Sequence, residues 1–275
     1  MDFIKMEGIG NDFIVTHHVS PDSVDAIVPR VAVLCDRRRG IGGDGVIFIL
    51  PSDKADFRMR IINSDGSEAE MCGNGIRCFA KYVAFEKLSN KKKLVVETLA
   101  GLIRTENVGH GLIRVDMGVP HLSASEVPCT ISMEQVKMYP VDVLGKTFEV
   151  TAVSMGNPHA VIFTDKITDE QVLGAGPVLE KHPYFPKRTN VEFIEVLSRL
   201  ETRMRVWERG CGETQACGTG ACASVVAGIL NGLHDNEVIV HLPGGDLQIS
   251  WNGNPQDPVF MTGLAREVFR GSVEL

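Results

Sequence analysis

The sequence predicts an α/β protein of two similar halves, with a site in the cleft between them. Three observations lead there. Glu68–Gly75 ends in Cys72-Gly73-Asn74-Gly75 and runs into the helix-like stretch Ile76–Leu88, while Glu213–Gly220 ends in Cys217-Gly218-Thr219-Gly220 and runs into Ala221–Leu233. At the same offset Arg60 matches Arg205, Ile61 matches Val206 and Glu68 matches Glu213. Each half also sets a Gly-Asn turn, Gly10-Asn11 or Gly156-Asn157, before a strand.

The elements follow in order. Phe3–Met6 and Phe13–Thr16 read as strands about a glycine-bearing turn. Pro21-Asp22-Ser23 ends that region, and Pro29 is suited to the first turn of a helix running to about Arg38. Gly40–Gly45 spells G-x-G-x-x-G, but helix-like sequence precedes it and the strand Val46–Leu50 follows. A dinucleotide fingerprint needs the opposite order, so the segment reads as a loop. Phe57–Asn63 is a strand that reaches Cys72 through the turn Ser64–Ser67. Leu94–Thr98 and Leu102–Asn107 make a hairpin, and Leu112–Met117 adds a strand. In the second half Lys146–Val153, Ala160–Phe163, Asn190–Leu197 and Thr202–Trp207 are strands, and Asp169–Lys181 is helical in pieces. Val238–His241 and Leu247–Ser250 form a hairpin about Pro243-Gly244-Gly245, and Leu264–Val273 is a last strand. The helix after Cys217 is apolar nearly all round, as a buried core helix is.

Composition narrows the function. Hydrophobic residues at 44% and charged residues at 23% fit a soluble globular chain, and the net charge of −7 argues against nucleic acid and anionic membranes as partners. Arg37–Arg39 and Lys91–Lys93 are short enough to read as solvated ends. No apolar run is long enough to span a bilayer, and the first residues do not resemble a secretion signal. Seven cysteines without a Cys-x-x-Cys pair suit a reducing cytoplasm, free thiols and no zinc knuckle.

Two cysteines at two helix starts have a specific use. A helix N-terminus bared by glycine offers N–H groups to a carboxylate, and its partial positive charge favours thiolate. Two such ends holding one carboxylate put a thiol on each face of the carbon beside it. One thiolate then removes the α-proton and the other thiol returns one on the opposite face, with no metal or cofactor. Cys35, Cys78, Cys129, Cys211 and Cys222 lack this context and read as structural.

The chain resembles the diaminopimelate epimerase family from end to end. The resemblance rests on Gly8–Phe13, Asn63–Ser67, Met71–Cys78, Gly156–His159, Thr189–Val191, Trp207–Gly210 and Ala216–Gly220. It implies two pseudo-symmetric domains, each a barrel-like, mostly antiparallel sheet around one helix. Their bounds would be 1–118 joined by the strand 264–275, and 119–263. It implies cofactor-independent interconversion of LL- and meso-diaminopimelate for lysine and peptidoglycan synthesis, with Cys72 and Cys217 as the acid–base pair. By the same resemblance Gly73, Asn74, Gly218 and Thr219 bind the reacting carboxylate. Asn63, Asn157, Asn190 and Arg209 hold the far end of the substrate, Asn11 lines the pocket, and Glu208 and His159 stand beside the reacting centre. A cytoplasmic homodimer is expected. Where some members carry glutamine after Gly42-Gly43-Asp44, this chain has Gly45, so no side-chain contact is expected there.

Two other readings stay open on the residues. One is a related fold acting on another substrate, by proline-type racemisation or as an isomerase lacking the thiols. The other is a binding or redox-sensing protein whose paired thiols oxidise. The intact cysteines and the set Asn63, Asn190 and Arg209 favour the epimerase.

Overall fold

The computed structural model describes residues 1–275, the Pro21 side chain excepted. The chain forms two compact units, one of residues 1–116 and 262–275 and one of residues 117–261. Both are mixed α/β and dominated by sheet.

The first unit opens with β1 (Asp2–Gly8) and β2 (Asn11–Thr16), paired antiparallel with Gly8 opposite Asn11. The two residues between them, Ile9 and Gly10, have φ of 48° and 93°. A two-residue turn with both φ positive matches the twist of the strands it joins, which fixes the register at Asn11. The helical region differs from the sequence expectation. It begins at Pro21 and runs as α1 (Pro21–Ile27), a 3-10 turn (Val28–Arg30) and α2 (Val31–Cys35). Pro29 has no N–H to continue an α-ladder, so the helix tightens there, and α2 ends at Cys35 where Asp36 turns extended.

The buried strand β3 (Gly45–Leu50) pairs parallel with β2 and antiparallel with β4 (Phe57–Asn63). A short arm, β5 (Glu68–Ala69), folds back on β4 and leads into α3 (Gly73–Phe85). Then β6 (Lys93–Thr98) pairs parallel with β4, and β7 (Gly101–Gly109) and β8 (Leu112–Asp116) complete a meander. The apolar face of α3, with Ile76, Phe79 and Val83, packs against β1, β2, β3, β4, β7 and β8.

The second unit repeats this pairing order. After β9 (Tyr139–Val143), β10 (Lys146–Ser154) pairs antiparallel with β11 (Pro158–Thr164). A π-helical turn (Glu170–Ala175) and α4 (Gly176–Glu180) precede β12 (Asn190–Val196), which lies parallel to β11. Antiparallel β13 (Glu201–Glu208) follows, with the arm β14 (Gly212–Glu213), then α5 (Gly218–Leu230). The strand β15 (Glu237–Leu242) pairs parallel with β13 and makes a hairpin with β16 (Gly245–Ser250). Ala221 to Ala227 of α5 are buried without a break, and each buried valine there is worth about 1.5 kcal/mol or more. The chain leaves this unit through β17 (Phe260–Leu264), and β18 (Arg266–Ser272) pairs antiparallel with β1, Ser272 opposite Asp2.

The arginines that match in sequence do the same work. Arg60 forks onto Glu68 at 2.8 and 2.9 Å and reaches Asp25 at 2.9 Å. Arg205 forks onto Glu213 at 2.7 and 3.1 Å and reaches Asp169 at 2.8 Å. A planar guanidinium matches a carboxylate with two parallel bonds, so each fork pins the arm that delivers a cysteine to its helix.

Candidate active site

Cys72 and Cys217 are the N-caps of α3 and α5. Both have extended backbone, and in both Sγ accepts the N–H three residues on, Gly75 N or Gly220 N, at 3.4 Å. Sulfur thus fills the place where serine or aspartate usually caps a helix. The N–H groups of Gly73 and Asn74, and of Gly218 and Thr219, belong to the first turn, where a helix supplies no acceptor of its own.

In the first unit Asn74, buried, donates to Asn11 Oδ1, and Asn11 Nδ2 donates to Asp44 at 2.9 Å. The G-x-G-x-x-G loop therefore serves to deliver Asp44. Its glycines are there for space: a Cβ on Gly40 would lie 2.1 Å from the Val33 carbonyl, and one on Gly45 would lie 2.6 Å from that of Ile62. Arg37 is exposed, as expected of a solvated charge, and also bonds both Asp12 and Asp44. Buried Lys5 pairs with Asp12 at 2.6 Å. Burial alone would raise the Asp12 carboxyl, but hydrogen bonds from Arg37 and Lys5 outweigh it and hold it at about 2. Arg77, fully buried, donates to the Gly73 carbonyl at 3.1 Å and to that of Leu264 at 3.3 Å, supporting the Cys72 turn. Asn63 bonds Ser67 within its own turn at 3.0 Å.

In the second unit the expected residues form a chain. Cys217 Sγ lies 3.6 Å from Thr219 Oγ1, which accepts Asn157 Nδ2 at 3.3 Å. Asn157 Oδ1 faces His159 Nε2 at 3.0 Å, and His159 Nδ1 meets Glu192 Oε1 at 2.7 Å. Asn190 acts on backbone: its Oδ1 accepts Arg209 N and its Nδ2 donates to Pro158 O, both at 2.9 Å. It ties the Glu208–Gly210 turn to the Asn157 turn. Glu208 accepts a hydrogen bond from Thr214, and the exposed Arg209 reaches the Lys187 carbonyl at 3.4 Å.

Electrostatics at Cys217 depart from the expectation of a favoured thiolate. Burial pushes this thiol well above its ordinary value, and the Glu208 and Glu192 carboxylates push the same way, against Thr219 and the Gly220 N–H. One helix N-terminus does not outweigh desolvation and two negative charges. Burial also raises Glu208, helped by Glu192 and opposed by Thr214 and His159. The remaining cysteines have no such setting. Burial takes Cys78 to about 12 and Cys35 to about 11, Cys222 is buried, and Cys129 and Cys211 lie nearer the surface.

Sequence reasoning missed Lys5, Asp44, Arg77 and Glu192. Only Glu192 left a signal: a carboxylate in an apolar strand, two residues from Asn190 and so on the same face.

The arrangement holds an acid beside helix N–H groups suited to a carboxylate, twice in one chain. A model of the diaminopimelate epimerase family matches residues 3–123 and 151–268. The diaminopimelate epimerase of Moorella thermoacetica is 53% identical over 283 residues, covering all of both chains. That of Carboxydothermus hydrogenoformans is 51% identical over 273 residues, 98% of each chain. Among solved structures, a probable proline racemase from Agrobacterium radiobacter has a TM-score of 0.72 at 14% identity, covering 100% of this chain and 93% of that one. A PhzF-family phenazine biosynthesis protein of Bacillus anthracis has a TM-score of 0.70 at 17% identity, covering 100% and 99%. These two likenesses bear on the fold alone.

Proposed function

The chain belongs to the diaminopimelate epimerase family, and from that premise we propose that it interconverts LL- and meso-2,6-diaminopimelate, an isomerase step of lysine and peptidoglycan-precursor synthesis. The observation that carries the chemistry is the pair of cysteine N-caps, each with its sulfur on the third N–H of a buried helix.

Inversion at a carbon needs one group to take a proton and another to return one on the opposite face. Cys72 and Cys217 are these groups. The first-turn N–H groups of Gly73 and Asn74, and of Gly218 and Thr219, bind the reacting carboxylate and stabilise the carbanion as charge moves into it. One cysteine enters as thiolate and the other as thiol, and the two exchange these roles with the handedness of the substrate. Diaminopimelate carries a second amino-acid group, which requires both donors and acceptors. Arg209 offers a fork for the distal carboxylate, Asn63, Asn157 and Asn190 serve that end, and Asn11 lines the pocket. Glu208 and His159 stand beside the reacting centre. The reading needs no added cofactor, and it takes the working form as a cytoplasmic homodimer with a small-molecule substrate.

In heavy water, deuterium is expected to enter the α-carbon of LL- or meso-diaminopimelate without pyridoxal phosphate. Cys72→Ser and Cys217→Ser should each lose about 10²-fold or more in kcat while keeping a capped helix. Absence of exchange by the reduced protein refutes the reading, and an unchanged rate in either variant removes that cysteine from it. Sedimentation of the purified chain tests the dimer.

A further inference from the structure

Glu192 has no part in the reading above, yet it lies at the end of the chain of contacts that leads to Cys217. It is 0% exposed, on β12, in a strand whose neighbours Val191, Phe193 and Ile194 are apolar core. Burying a carboxylate is costly unless its oxygens are matched. Only Oε1 is matched, by His159 Nδ1 at 2.7 Å, while Oε2 is buried with no hydrogen-bond partner among the described residues. Carboxylate and imidazole are both sealed from solvent. The space is kept for it. A Cβ on Gly220 would lie 2.7 Å from Glu192 Oε1 and 3.2 Å from Cys217 Sγ, so the bare face of Gly220 is what lets carboxyl and thiol both come close to it. A buried carboxyl with one oxygen unmatched adds little to stability, and its one partner is the ring it orients.

A carboxyl oxygen held against Nδ1 sets the plane of the ring and limits its rotation. The ring then presents Nε2 to Asn157 Oδ1, and Asn157 passes on through Thr219 to Cys217. We infer that Glu192 is the positioning residue of the epimerisation: through His159 it holds Asn157 and Thr219 in the geometry that serves the Cys217 thiol. Glu192 does not touch substrate. The inference rests on the epimerase reading, and it assigns His159 a buried carboxyl partner.

The test is a double-mutant cycle on the full chain, read by kcat and KM for diaminopimelate. Glu192→Gln, of equal size but uncharged, should lose about 10–100-fold in kcat with little change in KM, as for other residues that orient a working histidine. In a His159→Gln background the same change should cost less than about threefold, because residues acting as one unit are not additive. In the NMR spectrum of the folded protein the sheltered His159 Nδ1–H resonance should be present in the wild type and shifted or lost in Glu192→Gln. Glu192→Asp, one methylene shorter, should not restore the rate. Wild-type kcat in Glu192→Gln, losses that multiply in the double variant, or a lowered Tm with full kcat would each overturn the inference. A wild-type chain with no α-proton exchange would overturn the epimerase reading as well, and the NMR result would still report whether Glu192 holds His159.

Discussion

At the scale of single residues, the two cysteines share their capping bond but differ in what lies beneath them. Under Gly75 a Cβ would meet Ile61 Cδ1 at 3.1 Å and Ile47 Cδ1 at 3.3 Å, the flexible ends of apolar side chains. Under Gly220 it would meet the Glu192 carboxylate at 2.7 Å and Cys217 Sγ at 3.2 Å. The first contact yields by small rotations, whereas the second presses on the buried Glu192 carboxyl and the Cys217 sulfur together. Gly220→Ala is therefore expected to lose at least about tenfold more activity than Gly75→Ala, because a displacement of about 1 Å can cost 10²-fold. Steady-state rates on folded variants check this, and equal losses would show that the carboxylate side tolerates the methyl. Much at this scale was legible in sequence. Cys72, Cys217, Asn74, Asn11, Asn157 and His159 were all singled out, and the structure joins them to their neighbours within each unit. Lys5, Asp44 and Arg77 were not, because their partners are distant in sequence and no local pattern marks an ion pair or a buried guanidinium.

At the scale of elements, α5 shows how a helix that is apolar all round accommodates a polar neighbour. The His234 ring lies over Gly228, where a Cβ would sit 2.0 Å from Nδ1. Burial, with Arg199 adding to it, lowers His234 from 6.5 to about 4. The folded state thus keeps this ring neutral, while the unfolded chain protonates it at ordinary pH values. The unfolded state binds more protons between pH 6.5 and 4, so stability is full above pH 6.5 and is lost as pH falls to 4. One group of this kind accounts for roughly 3 kcal/mol across the window. His234→Leu should flatten that part of the Tm–pH curve, and a curve of unchanged slope would assign the acid sensitivity elsewhere. The strands, hairpins and cysteine helices followed from periodicity and turn residues. The α1–α2 region did not, because two prolines each suit a first turn and nothing local ranks them.

At the scale of the whole molecule, the first unit is discontinuous: it is completed by residues 262–275 after the chain has built the second. β18 covers β1 along its length, and Phe269 meets Phe3 edge-on at 6.0 Å. Gly271 fits against the Phe3 ring, where a Cβ would lie 2.8 Å away. Removing residues 266–275 would leave β1 as an open edge and bare Phe3. Such edges template association, so the truncated chain should elute as larger, polydisperse species at size exclusion, and an unaltered elution profile with full activity would contradict this. The internal repeat made the paired topology readable, since matched residues such as Arg60 and Arg205 do matched work. The unit boundary itself carries no such mark, because β17 runs straight through it.

A sulfur that closes a helix is also a sulfur an inhibitor can reach for. An electrophile that alkylates Cys72 or Cys217 would consume the thiol and crowd the sulfur that accepts the Gly75 or Gly220 N–H. Covalent blockade of either cysteine is thus expected to lower Tm as well as activity. The two injuries, separable in most enzymes, share one atom here.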